Sequence, residues 1–253
     1  RNIDYMRISI TDRCNLRCKY CMPDGVESLA RWEILSLEEI EAIAICAAGL
    51  GISRIKVTGG EPLVRRDCCQ LVKLLKSIPG IEKVTITTNG VLLDRYLEPL
   101  LEAGIDGINI SLDTLDPCMY EKITGFDRLA CVMKTIERSP GLPVRVKINA
   151  VSIDFSSMDG EGCSGPGGSW WKELVELTGR YPVDVRFIEM MPIGLGKEFA
   201  ARGEEQIKSV LEKKYGSMTP TEEKLGNGPC HYYTLEKFTG RIGFISALSH
   251  KIL

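Results

Sequence analysis

The sequence is poor in histidine. It has two in 253 residues, His231 and His250, and both read as ordinary surface or core residues rather than metal ligands. It has no stretch of 18 apolar residues, so no segment reads as a membrane-spanning helix. The opening "RNIDYMRISI" lacks the basic start and apolar run of a secretory leader. Charge of either sign is not in excess: 32 Lys and Arg against 34 Asp and Glu leave a formal charge of −2. Without a basic run there is no field to recruit nucleic acid, and any anion site must be local. The expectation is a cytoplasmic protein with no membrane or nucleic-acid partner. In that reducing compartment the ten cysteines read as ligands, core residues or free thiols rather than disulfides.

What the sequence does have is three of those cysteines within eight positions. "TDRCNLRCKYCMP", residues 11–23, spaces Cys14, Cys18 and Cys21 as C-x3-C-x2-C and supplies no fourth. A closed zinc site needs a fourth Cys or His, and the nearest histidine in sequence is His231. Three thiolates at this spacing can instead hold a 4Fe-4S cluster with one iron left open to a small chelating molecule.

The hydrophobic share of 44% supports a full α/β core. Short β-rich runs at Met6–Thr11, Arg54–Thr58, Lys83–Thr88, Gly107–Leu112, Val144–Val151 and Val183–Glu189 alternate with helical patterns. One of these, "SLEEIEAIAICAAGLG", opens with Ser36 and Glu39 in capping-box spacing and closes on glycine. Pro99 is expected to shorten or kink another. Crossovers longer than a dozen residues imply parallel strands, in an open doubly wound sheet or a barrel. The Gly/Ser-rich "SIDFSSMDGEGCSGPGGS" reads as a loop after the fifth strand. One helix near Glu204–Lys214 and two candidate strands follow Met190.

Alternation within the strands favours the barrel. Arg7, Ser9 and Thr11 alternate with apolar residues, as do Lys56 and Thr58, Thr85 and Thr87, Asn109 and Ser111, Lys147 and Asn149, and Arg186. Successive side chains face opposite ways, so each strand has a polar and an apolar face. In a curved sheet the apolar face meets helices and the polar face lines a lumen carrying Arg7, Lys56, Lys147 and Arg186, which asks for an anionic ligand. The alternative is an antiparallel sheet with one solvated face. The fold expected is a partial (βα)6 barrel of parallel strands over residues 1–191 with a short α+β extension over 192–253.

The cysteine spacing, with Tyr20 before the last cysteine, resembles the radical S-adenosylmethionine (SAM) enzymes. "TGGEP" after the second strand, "TTNG" ending the third and "SLD" ending the fourth stand where that family has its SAM contacts. The strings "KVTGGEPLVRRD", "INISLDTLD" and "VRFIEMMPIG" narrow the resemblance to the GTP 3′,8-cyclase family of molybdenum cofactor biosynthesis. The resemblance implies a 4Fe-4S cluster on Cys14, Cys18 and Cys21. It implies SAM contacts from the Tyr20 backbone, Gly60, Glu61, Ser111 and Met191, with Glu61 accepting the SAM ammonium. GTP would be contacted by Arg7, Lys56, Thr87 and Lys147, with Arg186 beside them. An electron-donor protein and a homodimer are further implications. The family continues past "SHK" into a second three-cysteine set for another cluster, and Leu253 stands where its first cysteine would be. The 152–169 stretch is longer than the family's usual connection.

Two other readings stay open on sequence: a radical SAM enzyme acting on a peptide, and a non-catalytic domain that binds a cluster or nucleotide. Cys46, Cys68, Cys69 and Cys131 read as small buried hydrophobes, and Cys118 as a helix-opening residue without a function. Cys163 and Cys230 fit no ligand spacing. Trp170 and Trp171 read as the packed start of a helix.

Overall fold

A computed structural model describes residues 3–27, 29–154, 170–191, 194–222 and 230–246. The expectations attached to 155–169, including Cys163, and to His250 and Leu253 lie outside these residues. The strands are β1 (Tyr5–Ser9), β2 (Arg54–Thr58), β3 (Lys83–Thr88), β4 (Gly107–Ser111), β5 (Arg145–Val151), β6 (Val183–Ile188), β7 (Thr219–Thr221), β8 (His231–Thr234) and β9 (Ile242–Ile245). The helices are α1 (Leu37–Gly49), α2 (Cys68–Ser77), α3 (Leu93–Glu102), α4 (Pro117–Thr124), α5 (Leu129–Arg138), α6 (Trp170–Arg180) and α7 (Glu204–Tyr215).

The sheet order is β1-β2-β3-β4-β5-β6-β9-β8-β7. β1 to β6 run parallel in chain order, as helical crossovers require. Beyond β6 the chain supplies three strands, one more than the sequence suggests. β9 adds parallel to β6, and β8 and β7 follow antiparallel. The strands of the extension therefore continue the same sheet.

β1 ends at Ser9, two residues before its predicted end. Ile10 and Thr11 belong to the buried start of the cysteine loop, where the Thr11 hydroxyl accepts from the Arg13 amide at 3.2 Å. The capping box at Ser36 and Glu39 forms in both directions. α3 runs through Pro99. Its buried stripe of Leu93, Leu97 and Leu100 outweighs the lost amide.

Ile55, Val57, Val84, Ile86, Ile108, Ile110, Val146, Ile148, Val185 and Phe187 are all buried in one continuous core with the helices' inner stripes. The polar face turns the other way. In a flat sheet β2 and β6 would stand roughly 19 Å apart, four strand spacings. Yet Arg186 on β6 acts on both of the first two strands: it adds to the burial that lowers the pKa of Lys56 on β2, and it opposes the burial that raises that of Tyr5 on β1. The sheet thus curls into a partial barrel with its polar face inward.

Among the cysteines, Cys68 is buried as expected, whereas Cys46 is exposed on α1. Cys118 at the start of α4 is disulfide-bonded, against the expectation of free thiols.

Candidate active site

The thiols sit in the loop after β1, at the carboxyl end of the barrel strands, where such folds assemble their sites. The loop is anchored on two sides. The Arg17 and Lys19 amides donate to Thr124 O and Ile123 O at the end of α4, at 2.8 and 3.0 Å. The Gly60 and Glu61 amides donate to Thr11 O and Arg13 O at 2.8 and 2.7 Å. Gly60 is required by this second contact: a Cβ there would lie 2.4 Å from Arg13 O and 2.6 Å from Asp12 O. The glycine pair therefore serves the close approach of two loops, a use the sequence did not reveal.

The thiols are close enough to act on one another. Burial, then Asp113, Cys14 and Cys21, push the Cys18 thiol up to about 12. Burial, followed by Cys14, raises Cys21. Burial is also the main reason Cys14 is raised, against the Leu16 amide, which donates to its Sγ at 3.4 Å. Three mutually repelling sulfurs without a fourth ligand fit a larger, multi-iron cation that displaces their protons.

Glu61 is buried. Its Oε1 accepts from the Leu63 amide at 3.0 Å and from Thr88 Oγ1 at 2.7 Å, and its Oε2 accepts from the Asn89 amide at 2.6 Å. Three donors from two loops thus converge on one buried carboxylate. Asn89 holds the turn after β3, accepting from the Val91 amide at 3.0 Å, and also reaches the cysteine loop. Its Nδ2 donates to Asn15 Oδ1 at 2.8 Å and stands 3.8 Å from Cys14 Sγ. Ser111 ends β4, half-buried, and Met191 is exposed beyond β6.

Below the loops lies the cationic face. Arg7 and Lys56 are register neighbours on β1 and β2. Thr87, Asn109 and Lys147 form a row across β3, β4 and β5, and Asn149 pairs with Arg186. Burial, with Arg186, Arg7 and Lys147 adding to it, pulls Lys56 down to about 8. Burial and Arg186 do the same to Lys147, also about 8. Arg186 Nε donates to Asn149 Oδ1 at 2.9 Å and Nη2 to Asn109 Oδ1 at 2.6 Å. Asn109 is oriented in turn by donating to Ile86 O at 2.8 Å.

Sequence reasoning passed over Asp184, on the same inner face. It is buried, 3.3 Å from Arg145 Nε, and accepts from the Arg241 amide at 3.1 Å. It is the register partner of Lys147 and offsets part of the burial cost of that lysine's charge. Tyr232 and Cys230 were also missed. Lys147 Nζ lies 5.7 Å from the Tyr232 ring centroid, and the Cys230 sulfur fills the space a Gly243 side chain would take.

A family model described as the radical SAM superfamily matches residues 8–159. A GTP 3′,8-cyclase of Syntrophomonas wolfei is 44% identical over 255 residues, covering 99% of this chain and 75% of its own. One of Pelotomaculum thermopropionicum is 41% identical, covering 98% and 75%. The chain belongs to the GTP 3′,8-cyclase family of radical SAM proteins. Its fold is shared more widely in the superfamily. The Streptococcus suis SuiB structure bound to S-adenosylmethionine aligns with a TM-score of 0.68 at 17% identity, covering 96% of this chain and 50% of that one. At that identity the likeness concerns the partial barrel alone. Among the described residues no helix is long and apolar enough to cross a membrane.

Proposed function

We propose that the protein cyclises GTP between ribose C3′ and guanine C8 by radical SAM chemistry, for molybdenum cofactor biosynthesis. The observation that carries the reading is the stacking of two sites at one end of the barrel. The three thiols follow β1 at that end, and Arg7, Lys56, Lys147 and Arg186 stand on the inner face of the same strands. Burial, Arg186 and Arg7 disfavour the charged form of Lys56, and burial and Arg186 that of Lys147, and a nucleoside triphosphate supplies the compensating charge.

Cys14, Cys18 and Cys21 would hold a 4Fe-4S cluster, which when bound supplies the electron that splits SAM into methionine and a 5′-deoxyadenosyl radical. Ser111, Met191, Gly60, Glu61 and the Tyr20 backbone would contact SAM. Arg186, held by two asparagine oxygens, presents its charge at a fixed angle, while the lysines adapt to the phosphates. Thr87 offers a hydroxyl beside them. Lys147 and Arg186 are buried, so the deeper part of this face is screened from bulk water. The reading asks for an electron-donor protein and a reducing, cytoplasmic setting.

The test is anaerobic reconstitution followed by SAM, GTP and a chemical reductant. Formation of 5′-deoxyadenosine that rises with GTP is expected, and its absence from an iron-loaded protein overturns the reading.

A further inference from the structure

Tyr20 Oη donates to Asp113 Oδ2 at 2.5 Å across 93 residues of sequence. The other oxygen, Oδ1, accepts from the Val151 amide at 2.8 Å. Asp113 is buried just beyond β4, and Val151 closes β5. One carboxylate thus ties two strand ends to the cysteine loop.

The tie bears on a particular turn. The Cys21 and Met22 amides both donate to Cys18 O, at 2.9 and 3.0 Å, so residues 18–22 fold as one unit. Its amino end is held to α4 through the Lys19 amide. Its carboxyl end is followed by exposed residues, and Tyr20 is the side chain that reaches inward there, into a small cluster with Met119, Ile123 and Ile153. Packing alone lets a ring slide or turn, whereas a short hydrogen bond to a fixed acceptor sets its depth and direction.

A buried carboxylate is a demanding choice for this job, because burial disfavours its charge. An amide would satisfy Val151 equally well. The charge has a second effect, since the hydrogen bond holds Asp113 Oδ2 at 2.5 Å from the side chain that stands between Cys18 and Cys21. A negative charge beside a ligand sulfur opposes adding an electron to whatever that sulfur binds.

We propose that Asp113 is a positioning residue of the cluster site. Through Tyr20 it fixes the turn that presents Cys18 and Cys21, and its charge lowers the reduction potential of the group they hold. This rests on the reading of the three cysteines as cluster ligands and adds a residue that does not touch the cluster.

Two variants separate the effects. Tyr20→Phe deletes the tie and keeps the charge. Asp113→Asn removes the charge and keeps a polar link, with Asn Nδ2 donating to the Tyr20 oxygen. Each is reconstituted anaerobically beside the wild type. Iron and sulfide are counted, the midpoint potential is read by electron paramagnetic resonance, and cluster loss to a ferrous chelator is timed. Tyr20→Phe is expected to load iron but lose it about 10-fold faster, with no rise in potential. Asp113→Asn is expected to show a more positive potential with cluster loss close to wild type. An iron-loaded Tyr20→Phe that survives the chelator as long as wild type overturns the proposal, as does an unmoved potential in Asp113→Asn. Should Asp113→Asn not fold, the Tyr20→Phe result decides alone. A wild type that binds no iron removes the cluster reading and this one with it, an outcome distinct from an iron-loaded wild type with unmoved variants.

Discussion

Thr88 Oγ1 donates to Glu61 Oε1 at 2.7 Å, joining residues 27 apart, so the loop after β2 and the end of β3 share one buried carboxylate. Glu61→Ala leaves the Leu63 amide, the Thr88 hydroxyl and the Asn89 amide without that acceptor. Stability should fall by about 3 kcal/mol, measured by denaturant unfolding of the cluster-free protein. A loss under about 0.5 kcal/mol would show that the three donors do not depend on it.

Gly60→Ala should be more damaging to the site than to the fold. Its Cβ would meet the Asp12 and Arg13 carbonyls, which are main chain and cannot swing aside. The cysteine loop must move instead, so iron retained after reconstitution should drop by at least about 10-fold while the far-ultraviolet circular dichroism stays close to wild type. Full iron retention would contradict the close contact of the two loops.

Lys56 and Lys147, both about 8, give two pH responses of opposite sign. GTP binding requires their charged forms, so affinity should be highest below pH 8 and weaken toward pH 9. In the ligand-free protein their folded-state values lie below the usual lysine value of 10.5. The unfolded chain therefore binds more protons between about pH 8 and 10.5, and the two lysines' contribution to stability rises with pH there. Calorimetric titration with GTP and melting curves, each across pH 7 to 9.5, read the two slopes. Slopes of the same sign would contradict the buried cationic face.

Lys147→Ala should weaken GTP binding by roughly 10- to 100-fold, the loss of one charge-assisted contact to phosphate. SAM binding should be nearly unaffected, because Lys147 lies on β5 below the thiols. Equilibrium dialysis with each ligand checks this, and equal losses of both would place the lysine outside a nucleotide site.

Much of the fold was legible because its signals are local. Strand alternation, the Ser36 capping box and the crossover lengths each need only a short stretch of sequence. The third strand of the extension was not legible, since Thr219–Thr221 is three residues long and becomes a strand only beside β8. At the site, Cys14, Cys18 and Cys21 stand out by spacing, and the cationic face by its period of two. The Glu61, Asn89 and Asp113 hydrogen bonds did not. Apart from the local Leu63 bond to Glu61, each joins residues far apart in sequence, and the partner of a buried carboxylate is fixed by tertiary packing. Asp184 was readable in principle, two positions before Arg186 in the same alternation.

The most direct measurement uses GTP carrying deuterium at ribose C3′. The reconstituted protein is given it anaerobically with SAM and reductant, and the 5′-deoxyadenosine formed is weighed by mass spectrometry. Deuterium should appear in 5′-deoxyadenosine, and be absent when Lys56 and Lys147 are both replaced by alanine. Unlabelled 5′-deoxyadenosine from the wild type would mean that the radical meets something other than the GTP ribose.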